Sequence, residues 1–274
     1  MPNRLHGDRH HAHSFAHDTV RLDQHFLAPQ AADLIVAAAQ PTATDVVLEI
    51  GAGTGILTAA ILDTHPARLV AVEVDQRCES RLARLARTHV ELTMIMSRIQ
   101  EVDRTVLDGT TMIIANPSFA ALETTTRLIR SLPNLRVATL CVSRRWAETV
   151  AAPIDSASYG ATSVAVQSRF SPRLIGKIDG RQFTPAIRQP ATLLQLTRRR
   201  LGDPPLDVLA EALLHHGGMR VKSFLRSSRL RRSLDRTRRH GLLLAAPTLK
   251  QMQQRRLTEL SGRQIAELAA AITR

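Results

Sequence analysis

Val46-Val47-Leu48-Glu49-Ile50-Gly51-Ala52-Gly53-Thr54-Gly55, followed by Leu69-Val70-Ala71-Val72-Glu73-Val74-Asp75, is the stretch on which the fold turns. An almost unbroken apolar run suits a parallel strand buried on both faces. Gly51 permits a sharp turn at the strand end, Gly53 lets the backbone approach a ligand, and Gly55 allows the next helix to pack closely on the sheet. The second strand ends in Glu73, whose carboxylate can accept hydrogen bonds from both ribose hydroxyls, with Asp75 a weaker candidate suited to capping the helix after it. The fold class expected is α/β, a Rossmann-like sheet holding a nucleoside cofactor. The turn is too short for a phosphate-binding P-loop and no Gly-Lys-Ser/Thr follows it. Glu73 by itself serves a nicotinamide cofactor equally well.

Working outward, helices are expected at Pro29–Ala39, Ile56–Asp63, Gln76–Arg87 and Leu122–Ser131, with another opening at Arg144. Strands are expected at Asp45–Ile50, Arg68–Val74, His89–Met96, Thr111–Ala115 and Arg136–Val142. Val164–Phe170 and Leu174–Ile178 read as an antiparallel pair, with a further strand at Leu193–Arg199. Composition changes at Gly202-Asp203-Pro204-Pro205, after which the pattern is helical: Leu206–His215, Met219–Arg226, Leu230–Arg239 and Gly262–Ile272. The division expected is a loose arm over 1–20, a Rossmann-like domain over 21–202 and a small helical basic domain over 203–274.

Of the 274 residues, 44% are hydrophobic but only 3% aromatic, so the core is expected from Leu, Ile, Val and Ala. The formal charge of +13 points to a polyanionic partner, although an Arg- and Ala-rich composition also follows from a GC-rich genome. Cys78 and Cys141 form no disulfide framework or zinc pattern and are expected as reduced structural thiols. The arm carries His6, His10, His11, His13 and His17 without an apolar signal segment, and no stretch is long and apolar enough to span a membrane. The expectation is a cytoplasmic monomer with no membrane partner and no bound metal.

Chemistry is signalled at Asn116-Pro117-Ser118-Phe119, directly after a buried strand. The Asn116 side-chain carbonyl can accept one hydrogen of an exocyclic amine and the Pro117 main-chain carbonyl the other, leaving the nitrogen lone pair aimed at an electrophile. Phe119 can stack on the base, so a flipped or unpaired base is the natural substrate. In this setting Glu49 either orients the glycine turn or approaches the methionine ammonium. Together these residues point to S-adenosylmethionine and methyl transfer to a planar nitrogen.

The combination resembles the ribosomal RNA adenine N6-dimethyltransferases, a family that includes the macrolide-resistance 23S enzymes. The resemblance spans about residues 20–200. Asp23-Gln24-His25-Phe26-Leu27 resembles the family's cofactor-contacting Gln-Asn-Phe-Leu element, with His25 in place of Asn. Val47 to Gly55 matches its first motif, with Ala52 where Pro is usual. Val72-Glu73-Val74-Asp75 matches the ribose-binding segment, and Tyr159-Gly160 and Phe183-Thr184-Pro185 match later landmarks. The family's acid after the third strand is absent, and Ser97 or Arg98 occupies that region. Asn116-Pro117-Ser118-Phe119 stands closer to the Asn-Pro-Pro-Phe/Tyr loop of other amino-methyltransferases.

The resemblance implies methylation of adenine N6 in ribosomal RNA, 23S above all, with an antibiotic-resistance role among the possibilities. It implies a cofactor set of Gln24, His25, Leu27, Glu49, Gly51, Ala52, Gly53, Gly55, Glu73, Val74, Ser97, Arg98 and Asn116. RNA contacts are expected from Arg144 and Arg145, from Trp146 where it stacks on a base rather than packing internally, the favoured of its two roles, and from Arg226, Arg229, Arg232 and Arg236, whose spacing would align them on one face of a continuous helix. A small-molecule methyltransferase, and an RNA-binding protein with a vestigial cofactor site, remain the competing readings.

Overall fold

The computed structural model describes residues 24–154, 156–200, 202–216, 218–235, 238–239, 242 and 249–273. The expected arm over 1–20 with its His cluster, Asp23 and Arg236 lie outside the described residues.

A short strand β1 (Phe26–Leu27) leads into helix α1 (Pro29–Ala39), which has Pro at its first position, where the missing N–H costs nothing. Strand β2 (Val46–Ile50), helix α2 (Ile56–Leu62), strand β3 (Arg68–Glu73) and, after a short 3-10 turn, helix α3 (Glu79–Ala86) follow. Strand β4 (Leu92–Met96), helix α4 (Arg104–Leu107), strand β5 (Met112–Ala115), helix α5 (Leu122–Ser131), strand β6 (Val137–Ser143) and helix α6 (Arg144–Val150) continue the alternation. Helix α7 (Ala161–Gln167) precedes strands β7 (Phe170–Ile178), β8 (Phe183–Thr184) and β9 (Ala191–Arg198).

The main sheet has seven strands in the order β4-β3-β2-β5-β6-β9-β7. The first five are parallel, and β9 and β7 add antiparallel. The order reverses between β2 and β5, which opens a crevice at the C-terminal strand ends, where α/β sheets bind ligands. Strand pleating sends Val47, Leu69, Ala71, Met112 and Ile114 to one face, against Ile35, Ile61 and Leu82 of α1, α2 and α3. It sends Leu48, Val70, Val72, Ile113 and Leu140 to the other, against Leu122, Ile129 and Val150 of α5 and α6. Cys78 and Cys141 are buried free thiols, and burial pushes both up to about 12, which keeps them in the thiol form.

Two expectations of local structure fail. Val164–Gln167 is not a strand but the second half of α7, and β7 pairs with β9 rather than with a neighbour at 164–170. The helix is apolar on both sides because it lies between layers: Val166 joins the sheet core and Val164 a third apolar cluster. The second failure concerns the basic C-terminal helix. Helix α8 (Pro204–His215) is capped by Asp203, whose carboxylate accepts from the Leu206 N–H. The basic region forms two helices, α9 (Val221–Leu225) and α10 (Ser228–Ser233), in keeping with the separate helices expected at Met219–Arg226 and Leu230–Arg239; what fails is the one face that a continuous helix would have given. Ser227 takes an extended conformation and its hydroxyl accepts from the Leu230 N–H, starting a new helix. Arg226 therefore ends one helix while Arg229 and Arg232 stand on another, and the single continuous face does not exist.

The third cluster gathers Leu209, Val221, Phe224, Leu230 and Leu234 with Ile265, Leu268 and Ile272 of helix α11 (Gly262–Thr273). Tyr159, a landmark of the resemblance, is buried in the same cluster. Among the described residues no helix is long and apolar enough to cross a membrane.

Candidate active site

A cavity of about 630 Å³ opens at the C-terminal ends of the parallel strands, within the size range of small-molecule sites. The residues lining it come from seven separate segments, six of which hold residues singled out from the sequence, the seventh running from Phe183 to Ala191. Gln24, His25 and Leu27 come from the segment before α1; Gly51, Ala52 and Gly53 from the glycine turn. Glu73 and Val74 end β3, Ser97 and Arg98 follow β4, Asn116, Pro117 and Phe119 follow β5, and Arg144 and Arg145 open α6.

The glycine turn works as the residue types require. Gly53 and Gly55 adopt φ values of +54° and +82°, which side-chain-bearing residues rarely tolerate. A Cβ on Gly53 would stand 3.3 Å from the Phe26 ring, and one on Gly55 would stand 3.0 Å from the Leu85 side chain of α3. Gly53 thus admits the strand-like segment over the turn. Gly55 serves packing of α3 and does not line the cavity, so its expected place among cofactor contacts is corrected to a structural one.

Glu73 is nearly buried, and its carboxylate is held by backbone donors: the Gly53 N–H at 2.6 Å on Oε2, and the Val74 and Asp75 N–H groups at 2.8 Å each on Oε1. A carboxylate offers about four acceptor positions. Three are taken, so Glu73 has room for one ribose hydroxyl rather than the two expected. Its main role is to lock the turn to the end of β3. Asp75 accepts from the Arg77 guanidinium at 2.6 Å, which outweighs partial burial and holds its carboxyl below the ordinary range. Arg77 also reaches Gln24 Oε1 at 3.5 Å.

Glu49 does not reach the cavity. Pleating puts it on the same sheet face as Val47, under α2, where it is fully buried and accepts from the Thr58 hydroxyl at 2.6 Å. Of the two roles expected, the structure leaves it the orientation of the turn. Burial, reinforced by the nearby Glu73 charge, pushes its carboxyl up to about 8.

Asn116 is gripped from one side. Its Nδ2 donates to the His25 main-chain carbonyl at 3.1 Å, so Oδ1 is the atom left for an amine donor. His25 is held in turn: its Nδ1 lies 2.8 Å from the Pro185 carbonyl, which can only accept. β1 pairs antiparallel with β8, Phe26 opposite Thr184 and Leu27 opposite Phe183. The family-like landmarks at 24–27 and 183–185 are therefore one mini-sheet across the cavity. Phe119 stands 71% exposed at the cavity mouth.

Arg144 and Arg145 sit on the rim, Arg144 bonded to Glu148 at 2.7 Å. Trp146 is half-buried against the sheet core and does not line the cavity, which answers to internal packing, the one of its two expected roles that was favoured, and not to stacking on a base. Arg226, Arg229 and Arg232 are exposed and lie outside the cavity. Sequence reasoning missed Phe26 and Gln100, both lining residues. Phe26 lay inside a quoted motif and its closeness to a positive-φ glycine was the available signal; Gln100 sits in a short 3-10 turn, Ile99–Glu101, with none.

The residues fit S-adenosylmethionine: enough volume, an anionic acceptor at the end of β3, and apolar walls at Phe26, Val74 and Ile99. Held there, its nucleoside would lie by Glu73 and Val74, and its reactive end would face Asn116 and Pro117.

Comparison with known proteins agrees with this geometry. Residues 17–210 match the family described as ribosomal RNA adenine dimethylase. A probable ribosomal RNA small subunit methyltransferase A of Methanopyrus kandleri is 29% identical, over 92% of this chain and 91% of its own. A ribosomal RNA small subunit methyltransferase A of Gloeobacter violaceus is 31% identical, over 74% of each chain. Among solved structures, a dimethyladenosine transferase from Plasmodium falciparum superposes with a TM-score of 0.62 at 18% identity, covering 89% of this chain and 96% of that one. A 23S rRNA methyltransferase gives 0.59 at 17% identity, covering 91% and 100%, a likeness of fold.

Proposed function

The chain belongs to the ribosomal RNA adenine dimethylase family, and from that premise we propose that it methylates the N6 amine of adenine in small-subunit ribosomal RNA, adding two methyl groups in succession. Members of this family are methyltransferases that take the methyl group from S-adenosylmethionine. The small-subunit assignment follows the names of the two relatives and replaces the 23S substrate expected from the sequence. Those names offer nothing for the resistance role, which is not carried further.

The observation that carries the proposal is the setting of Asn116: a side-chain amide with its N–H₂ already engaged, beside Pro117 and Phe119 in one cavity. When bound, S-adenosylmethionine supplies an electrophilic methyl group on sulfur. The protein's task is orientation. Asn116 Oδ1 and the Pro117 carbonyl accept the two amine hydrogens and fix the direction of the nitrogen lone pair. Phe119 stacks on the flipped base. Glu73 accepts a ribose hydroxyl, and Val74 and Ile99 cover the rings. Arg144 and Arg145 on the rim meet backbone phosphates, as do Arg226, Arg229 and Arg232 on the helices after residue 203, which serve as the RNA-holding region.

The test is transfer of labelled methyl from S-adenosylmethionine to small-subunit and large-subunit RNA, naked and as assembled subunits, with nucleoside mapping. Labelled N6,N6-dimethyladenosine from small-subunit RNA is the expected product. Label confined to large-subunit RNA would overturn the substrate assignment, and label on no RNA would overturn the function. Asn116→Ala should lower the transfer rate on the order of 100-fold while leaving the fold and most RNA affinity intact; an unchanged rate would remove Asn116 from the chemistry.

A further inference from the structure

We propose that His25 is a positioning residue for the reaction, setting the orientation of the Asn116 amide through a clasp between the segment before α1 and the segment around β8. This rests on the reading of Asn116 as acceptor for the substrate amine.

The clasp has two bonds in series. The Asn116 N–H₂ donates to the main-chain carbonyl of His25 at 3.1 Å. The imidazole of the same residue contacts the Pro185 carbonyl at 2.8 Å. A carbonyl offers no proton, so Nδ1 carries the hydrogen and donates it. One residue therefore ties three loops: its own, the loop after β5 and the loop after β8.

A side-chain amide has two ends of opposite character related by a half-turn. With Nδ2 spoken for, Oδ1 is the end left for an amine. Without that acceptor both orientations become available, and the wrong one opposes two N–H₂ groups. The remainder of the segment is held independently. Phe26 and Leu27 pair with Thr184 and Phe183, and the Ala28 N–H donates to the Gln182 carbonyl at 2.8 Å. Those backbone bonds do not depend on the side chain at position 25. Losing the imidazole bond therefore loosens the one end that carries the acceptor for Asn116, and leaves Phe26 and Leu27 on the cavity wall.

The experiment uses the full chain and four variants: His25→Ala, His25→Phe, which keeps a ring but no N–H, His25→Asn, which keeps an N–H donor, and Asn116→Asp, which identifies the Asn116 side-chain resonances by their loss. The first readout is the Asn116 side-chain N–H₂ signal of ¹⁵N-labelled protein without cofactor. The second is affinity for S-adenosylhomocysteine by calorimetry. The third is kcat and KM on small-subunit RNA. In His25→Ala and His25→Phe the Asn116 signals shift and exchange faster with solvent. S-adenosylhomocysteine affinity and KM stay within about threefold, and kcat falls by about 10- to 100-fold. His25→Asn recovers most of the kcat. Unmoved Asn116 signals in both His25→Ala and His25→Phe overturn the clasp, as does a loss that lies wholly in S-adenosylhomocysteine affinity. If the unmodified protein methylates no RNA, the proposed function fails, and the resonance readout still decides the clasp.

Discussion

Glu49 and Glu73 are two carboxylates on the same face of neighbouring strands, both nearly or fully buried, with opposite fates. Glu73 takes three backbone N–H bonds, which compensate a negative charge. Glu49 takes one bond from Thr58, and its Oε1 has no hydrogen-bond partner among the described residues. Burial then raises its carboxyl from an ordinary 4.5 to about 8. The folded protein holds this proton across that window and the unfolded chain does not, so the contribution to stability is full below 4.5 and is lost as pH rises toward 8. Glu49→Gln keeps an acceptor for Thr58 and cannot ionise. Thermal unfolding across pH should show the unsubstituted protein losing ground to Glu49→Gln from about pH 5 upward, the gap levelling above about pH 8. A gap that does not change with pH would mean that Glu49 is ionised in the fold.

At the scale of elements, the joint between sheet and C-terminal helices is built on Arg130 of α5. Its guanidinium, 3% exposed, donates to the Ala165 carbonyl and the Ser168 hydroxyl at 2.6 Å each, to Glu211 at 2.6 Å and to Asp207 at 3.0 Å. One side chain joins α5, the α7 region and α8. Arg169 completes the group on Asp207 at 2.7 Å. Burial pulls the Asp207 carboxyl upward, but the bonds and charges of Arg169 and Arg130 prevail and hold it below its ordinary value. Arg130→Ala would take the guanidinium from Glu211 and from one side of Asp207, which keeps Arg169, and should cost roughly 3 kcal/mol in urea unfolding. A cost under about 1 kcal/mol would show that apolar packing of α7 and α8 carries the joint alone.

The molecule carries a net charge of +13, and exposed arginines stand both on the cavity rim and on the C-terminal helices. Arg98, Arg144 and Arg145 stand at the strand ends, while Arg226, Arg229 and Arg232 are exposed on separate short helices. Because α9 and α10 are distinct, they can meet phosphates at different angles, which one straight helix could not do. Replacing Arg229 and Arg232 together by Gln should weaken RNA binding. It should also lower the slope of log affinity against log salt by about 1.4 to 1.8, as expected for two lost phosphate contacts. An unchanged slope in filter binding would exclude α10 from the RNA surface.

The amino-acid sequence by itself determined the parallel strands, the glycine turn and the polar part of the cavity lining around it, because these rest on short-range physics. Buried parallel strands demand apolar runs such as Val46 to Ile50, and a ligand-approaching turn demands residues such as Gly53 that tolerate positive φ. Tertiary structure decided what depends on neighbours distant in sequence. Val164–Gln167 carries a strand-like composition and became a helix because two layers bury it. Glu49 and Glu73 look equivalent as acids beside a cofactor turn, yet only their surroundings separate a neutral acid under α2 from a bonded carboxylate on the cavity wall. The pairing of β1 with β8 spans more than half the chain, and no local pattern announces that His25 lies between Asn116 and Pro185.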